Sequence, residues 1–330
     1  MPSPSNLLLK FSRRLFANET ERDGFIEALV QPQSFHPCIL WCQTKPESFP
    51  LATLCPLPWQ PAFVDRLILG AKPGQHDLHQ QGYFYCLDFS SVFAASVLFA
   101  IPSCMHQVLD LCAAPGGKSI FAWKTLQPEI LLANEVIGKR IGMLKSNLER
   151  CRVSPVTIFS LDSKVLAQSI PKTASLVMVD APCTGQSLLA KGRKAPGCFH
   201  SVTINRNANR QKRILANAAR IVGPQGYLVY MTCAYSVEEN EQVGTWFLRR
   251  FPQFNVCTVP HLAPYQSHLS DLPCYRMWPQ QRLGAGAFTM LFQNTDDGLV
   301  KSVPSEVLWQ NSFMGRSRAS APGSGANFNQ

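Results

Sequence analysis

Near the start of the chain the apolar positions fall into two helical stripes. Leu8, Phe11 and Leu15 recur at i, i+3 and i+7, and Phe25, Ile26, Leu29 and Val30 form a second stripe. A Pro-rich stretch with short strand-like runs, such as residues 38–42, comes next. Together these predict a small α/β unit over residues 1–92.

From residue 101 the rhythm changes. Compact apolar runs at 108–112, 130–133, 156–159, 176–180 and 227–232 read as buried strands. Helical spacing occupies 118–126 and 138–150, the latter with Ile141, Leu144 and Leu148 on one face. A later helix is stopped at Val222 by Gly223 and Pro224, and another spans 237–250. Residues 288–292 predict a closing strand. Strands alternating with helices predict a parallel sheet covered on both faces, a Rossmann-like α/β domain over 93–295. Past residue 294 the pattern fades into a tail, 296–330, with a short helix near 307–309. The Ser-, Ala-, Gly- and Asn-rich end from 315 reads as disordered.

Composition narrows the function classes. The chain has 330 residues and a formal charge of +10, a balance that favours an anionic partner, nucleic acid first. No apolar run approaches the ~20 residues that span a bilayer. Residues 7–9 are the only apolar run before charges return, which predicts no export signal and a cytoplasmic protein. The twelve cysteines include no C-x-x-C pair, so no zinc site is predicted and the thiols are expected to be reduced.

The first strand of the sheet ends in Asp110-Leu-Cys-Ala-Ala-Pro-Gly-Gly-Lys-Ser119. Ligands in open α/β sheets bind beyond the carboxyl ends of the strands. Gly116 and Gly117 allow close backbone approach, and the helix that follows turns its positive end to the loop. Gly117-Lys118-Ser119 matches the end of a P-loop, but Cys112 stands where that motif needs its first glycine. The loop also lacks G-x-G-x-x-G. Glu135 closes the second strand, suited to a ribose diol, Asp162 follows the third and Asp180 ends the fourth. Acids on one rim repel phosphates and suit an adenosine-bearing cation, S-adenosylmethionine.

Two thiols lie on the same rim. Cys183 follows the fourth strand in Val179-Asp-Ala-Pro-Cys-Thr-Gly185, and Cys233 the fifth in Thr232-Cys-Ala-Tyr-Ser236. A thiol attacks as thiolate, and a helix beginning just after Cys233 favours that form.

The segments LDLCAAPGGKS, VDAPCTG and TCAYSVEENE resemble the signatures of the Nop/Sun family of RNA cytosine-5 methyltransferases, which includes the RsmB- and RsmF-type enzymes. The likeness covers about residues 80–295. It implies a class I S-adenosylmethionine-dependent methyltransferase fold with an N-terminal RRM-like RNA-recognition subdomain. By this resemblance Cys112, Ala113, Ala114, Pro115, Gly116, Gly117 and Lys118 form the cofactor loop. Glu135 binds the ribose, Asp162 lies near the adenine, and Asp180 lies near both methionine and target base. Cys233 matches the nucleophile and Cys183 the second cysteine, which assists product release. Lys118 and Asp180 also hold the base. The chain departs from the family pattern at Leu87, at Thr184 and at Gly284-Ala-Gly-Ala-Phe288, and shows no appended NusB-like or PUA-like module.

Between Lys191 and Arg213 lie seven basic residues and no acidic ones. Lys191, Arg193, Lys194, Arg206 and Arg210 are the expected RNA phosphate contacts, while Ile214, Ala218, Ile221 and Val222 face the core. The expected partner is ribosomal RNA, with transfer RNA second, as naked RNA or in a ribosomal subunit. Neither DNA nor a membrane is expected, and the protein is expected to be a monomer. A catalytically silent RNA-binding assembly factor on the same fold is the competing class, opposed by the presence of both cysteines. A P-loop ATPase is opposed by Cys112.

Overall fold

The computed structural model describes residues 3–103 and 105–311. Helices α1 (Asn6–Leu15) and α2 (Glu19–Val30) open the chain. Each begins at a side-chain cap: Ser5 accepts from the Leu8 N–H, and Asn18 accepts from the Glu21 N–H. Strands β1 (Cys38–Trp41) and β2 (Val64–Arg66), the short helix α3 (Asp77–Gln80) and strand β3 (Phe84–Cys86) follow. The three strands form an antiparallel sheet in the order β2-β1-β3.

The larger sheet is built from β4 (Gln107–Asp110), β5 (Ile130–Asn134), β6 (Val156–Phe159), β7 (Ala174–Asp180), β8 (Val222–Thr232), β9 (Phe254–Cys257), β10 (Tyr275–Met277) and β11 (Ala287–Asn294). Its helices are α4 (Phe89–Ala95), α5 (Gly117–Leu126), α6 (Gly138–Arg150), α7 (Ser163–Ser169), α8 (Ser201–Ile221) and α9 (Glu241–Arg250), with α10 (Ser305–Asn311) last. The strand order is β10-β11-β8-β7-β4-β5-β6, with β9 also paired to β11. Strands β4 to β8 are parallel, whereas β11 runs antiparallel to β8 and to its other neighbours β9 and β10. The chain order reverses at β4, which has β5 on one side and β7 on the other, and this switch point opens a crevice at the carboxyl rim.

Side-chain alternation along each parallel strand divides the core into two layers. Val108, Leu131, Leu176 and Met178 pack on one face with Ile120 and Phe121 of α5 and Leu144 and Leu148 of α6. Leu109, Leu132, Val177 and Val179 pack on the other with Leu166 of α7, Leu215 and Ala218 of α8 and Phe247 of α9. Burial on both faces explains why these strands read as continuous apolar runs.

Several expectations shift. The helix predicted over 237–250 is a short 3₁₀ turn, Val237–Glu239, then α9 from Glu241. Asn240 breaks it, because its side chain bonds Thr232 Oγ1 at 2.5 Å and donates to Ala234 O at 2.9 Å. Helix α8 stops at Ile221, and Val222 already belongs to β8, so Gly223 and Pro224 lie in a strand with irregular register against β7. Strands β9 and β10 were not anticipated. In the tail, α10 forms and Val303, Val307 and Leu308 pack on the second core layer. The expected disorder from 315 onward lies outside the described residues. No helix among the described residues is long and apolar enough to cross a membrane.

Helices α1 and α2 do not rest on the small sheet. Phe11, Phe16 and Phe25 cluster with Ile204, Tyr235, Trp278 and Ala285 of the larger domain. Phe25 meets Tyr235 edge-on at 5.1 Å and Trp278 at 5.9 Å. The Phe25→Ala substitution is therefore expected to cost about 3–5 kcal/mol. In thermal unfolding, the midpoint of the main transition should fall. Loss of a separate early transition, with the main one unmoved, would show that α1 and α2 form an independent unit.

Candidate active site

Asp110 organises the loop after β4. It is fully buried, accepts from Ser119 Oγ at 2.7 Å and from the Cys112 N–H at 3.3 Å, and so folds the loop back onto the start of α5. Burial pushes its carboxyl up to about 6, against the Ser119 hydrogen bond. Gly116 caps α5 at φ 114, a conformation that favours glycine. A side chain on Gly117 would stand 2.6 Å from Leu87 and 2.9 Å from Tyr85. Gly117 thus makes room for the upstream motif, whose Leu87 presses on the loop, while Gly116 faces Leu144 and Leu148 of α6.

A cleft of about 930 Å³ runs along the rim. Cys112, Ala114, Pro115, Lys118, Glu135, Asp162, Asp180, Cys183 and Cys233 all line it. Ala113 and Gly117 line a smaller adjoining pocket with Lys118 and Asp180, and Gly116 lines neither. Asn134, which the sequence reading passed over, stitches three rim loops: it donates to Leu111 O and Leu161 O and accepts from the Leu161 N–H.

Glu135 is only 3% exposed. One carboxylate oxygen accepts from the Ile137 N–H at 2.9 Å. The other has Arg140 at 3.0 Å as an ion pair but no hydrogen bond. A buried carboxylate oxygen without a hydrogen-bond donor, facing a cleft, suits a ligand hydroxyl. Asp162 caps α7 through a 2.8 Å bond from the Lys164 N–H, which occupies one of its oxygens. Arg140 also donates to Ala114 O and ties α6 to the loop.

The reactive groups converge from four elements. Lys118 on α5 donates to Asp180 at the end of β7 at 2.8 Å and lies 3.4 Å from Ser91 Oγ. Burial opposes the ammonium charge, but the Asp180 carboxylate raises its affinity for the proton. Cys183 and Cys233 are free thiols with sulfurs 3.0 Å apart. The hydrogen bond from Cys183 favours the Cys233 thiolate, with help from Ser187 and Lys118 and against burial and Asp180. The same bond, with burial and the Glu239 charge, holds the proton on Cys183.

The basic segment divides. Lys191, Arg193, Arg210 and Arg213 line the cleft, as do Arg140 and Lys164, which the sequence reading did not single out. Lys191 is also paired with Asp88 at 2.5 Å. Lys194 and Arg206 are exposed and lie beyond the cleft lining. Lys212 turns to the Trp246 ring at 5.8 Å.

This architecture is that of the Rossmann-like methyltransferases. The crystal structure of NSun6 from Pyrococcus horikoshii with SFG matches with a TM-score of 0.68 at 18% identity, over 89% of this chain and 99% of that one. A methyltransferase homolog protein from Pyrococcus horikoshii matches with a TM-score of 0.67 at 20% identity, over 88% and 99%. The 16S rRNA methyltransferase RsmB/F family matches residues 99–293, and the chain belongs to that family. Ribosomal RNA small subunit methyltransferase F of Cronobacter sakazakii is 31% identical over 204 residues, 61% of this chain and 42% of the relative. The chain thus spans less than half the length of the curated relatives it matches.

Asp110 supplies a pH test. Its folded carboxyl titrates at about 6, above the ordinary value of 3.8. Its contribution to stability is therefore full below the ordinary value and is lost as pH rises through 6. Ser119→Ala removes a donor that matters most to the ionised form. Denaturant unfolding should show a penalty of about 1.5–3 kcal/mol at pH 8 and about 1 kcal/mol at pH 5. Equal penalties would mean that Asp110 does not titrate in this window.

Proposed function

We propose that the chain transfers a methyl group from S-adenosylmethionine to carbon 5 of a cytosine in RNA, with Cys233 as nucleophile. The observation that carries this reading is the thiol pair, 3.0 Å apart, beside the Lys118–Asp180 ion pair. Ribosomal RNA is the proposed substrate, in keeping with the names of the curated relatives. The setting is cytoplasmic, and the first 92 residues are proposed to help hold the RNA.

S-adenosylmethionine, when bound, supplies an electrophilic methyl group. Glu135 would take the ribose, Asp162 the adenine side, and the 112–118 loop the methionine side. Carbon 5 of cytosine is a weak nucleophile, so the ring needs activation. Addition of the Cys233 sulfur to carbon 6 makes carbon 5 enamine-like. Asp180 and Lys118 would hold the base and draw charge from the ring. After transfer, a water at the rim would take the carbon-5 proton, the freed electron pair would restore the ring's 5,6 double bond and expel the Cys233 sulfur as thiolate, and Cys183 would hydrogen-bond that sulfur as it leaves. The base must leave its stack to reach the rim. Lys191, Arg193, Lys194, Arg206 and Arg210 would track the phosphates.

The direct test is methylation of RNA from cells lacking the protein, with labelled S-adenosylmethionine and nucleoside analysis. Label in 5-methylcytidine of one RNA size class is expected. Label in another nucleoside would overturn the proposed chemistry. Cys233→Ala should abolish transfer, while Cys183→Ala should accumulate a covalent protein–RNA adduct on a denaturing gel. Full activity of Cys233→Ala would remove it as nucleophile.

The cationic residues of the cleft make a separate prediction. Replacing Arg193 and Arg210 together by alanine should weaken RNA binding and reduce the slope of log affinity against log salt by about 1.4, at ~0.7 per phosphate contact. An unchanged slope in binding titrations would assign both side chains to the solvated surface.

A further inference from the structure

The segment Glu239-Asn240-Glu241 takes no part in the chemistry above, yet all three side chains are buried. Burying three consecutive polar residues is costly unless each is fully bonded. Asn240 holds the Cys233 loop through Thr232 and Ala234. Glu241 bonds Arg276 at 2.5 and 2.6 Å, and Arg276 donates to Tyr235 O at 3.0 Å. Glu239 reaches the other loop. It accepts from the Thr184 N–H at 2.9 Å and from Thr184 Oγ1 at 2.6 Å, directly beside Cys183. It also accepts from Ser236 Oγ at 2.7 Å, just beyond Cys233, and from Gln211 Nε2 of α8 at 3.0 Å.

We propose that Glu239 is a positioning residue that clamps the Cys183 loop to the Cys233 loop and fixes which of the two sulfurs carries the proton. The inference rests on the methyl-transfer reading for its purpose, because that reading needs one thiolate and one thiol.

Two features support it. Two N–H groups and two hydroxyls donate to Glu239; burial pushes its carboxyl up, and these four donors work against that shift by favouring the carboxylate. All are also neutral, so no bonded cation cancels the charge. The other charged groups facing the thiols, Lys118 and Asp180, are bonded to each other. Tyr230 and Tyr235 pack nearby, and burial holds both as neutral phenols. The unneutralised negative charge therefore sits beside Cys183, where it disfavours a thiolate and leaves Cys233 as the sulfur that ionises.

The test needs neither RNA nor cofactor. The full chain is treated with limiting iodoacetamide at pH 7.5, and alkylation of each cysteine is followed by peptide mass spectrometry. In the unaltered protein Cys233 should react at least ~10-fold faster than Cys183, as thiolate reactivity dictates. Glu239→Gln, shown to be folded by circular dichroism, should reduce that ratio at least ~5-fold by releasing the clamp and its charge. Glu239→Asp should restore part of it. An unchanged ratio in folded Glu239→Gln overturns the proposal, as does equal reactivity of the two thiols in the unaltered protein. Where Glu239→Gln does not fold, Thr184→Val decides: a ratio ~2–3-fold lower supports the clamp, since one of its charge-assisted arms is gone, and an unchanged ratio rejects it. A methylating protein whose ratio ignores Glu239 fails only this inference. A Glu239-dependent ratio in a protein that methylates no RNA fails only the proposed function.

Discussion

The site depends on the parallel pairing of β7 with β8. In this register Asp180 stands opposite Met231, so both strands reach the rim together and their following loops start side by side. Side chains alternate with period 2, and a slip of one residue would turn Val177 and Val179 out of one core layer and Leu176 and Met178 out of the other. With both faces buried, such a slip is excluded by the packing on each side. The 3.0 Å separation of the thiols is thus a consequence of sheet register, refined by the loops.

Loops alone would hold two sulfurs poorly. The Cys233 loop is packed from outside by Phe25 of α2 and by Trp278 just after β10, both against Tyr235, and bonded from inside by Asn240 and Arg276. β11 pairs along the far edge of β8, so the strand carrying Cys233 is internal rather than an edge. The helices at the start of the chain therefore help to fix a loop more than 200 positions away in sequence, as the His268-to-Leu15 hydrogen bond also illustrates with its separation of 253.

The parallel strands and the loops after them were legible, because each is an apolar run ended by a polar or Gly-bearing turn. The stripes of α1 and α2 were equally clear, but a stripe does not name its partner, and these pack on the larger domain rather than on the small sheet. β9 and β10 escaped because short antiparallel strands at the sheet margin carry few apolar residues. Glu239, Asn240 and Glu241 read as the polar start of a surface helix, since a periodic pattern counts glutamate as solvated. Their burial rests on partners such as Thr184 and Arg276, 55 and 35 residues away. Lys191 had the same fate in reverse: a residue in a basic run is tied to Asp88, far upstream.

The cleft carries charges of both signs. Beyond β5 and β6 it carries Glu135, paired with Arg140, and Asp162; beyond β7 and on α8 it carries Arg193, Arg210 and Arg213. Under the proposed function a cationic sulfonium would be drawn to the carboxylates and a polyanionic strand to the arginines, and Lys118 and Asp180 are bonded to each other at 2.8 Å within the same cleft. A single uniform charge would attract one ligand at the expense of the other. A protein of formal charge +10 thus keeps Glu135, Asp162 and Asp180 along one rim of its sheet. At the Lys118–Asp180 pair the two signs act against each other on one sulfur: Asp180 opposes ionisation of Cys233, and Lys118, bonded to it, favours it.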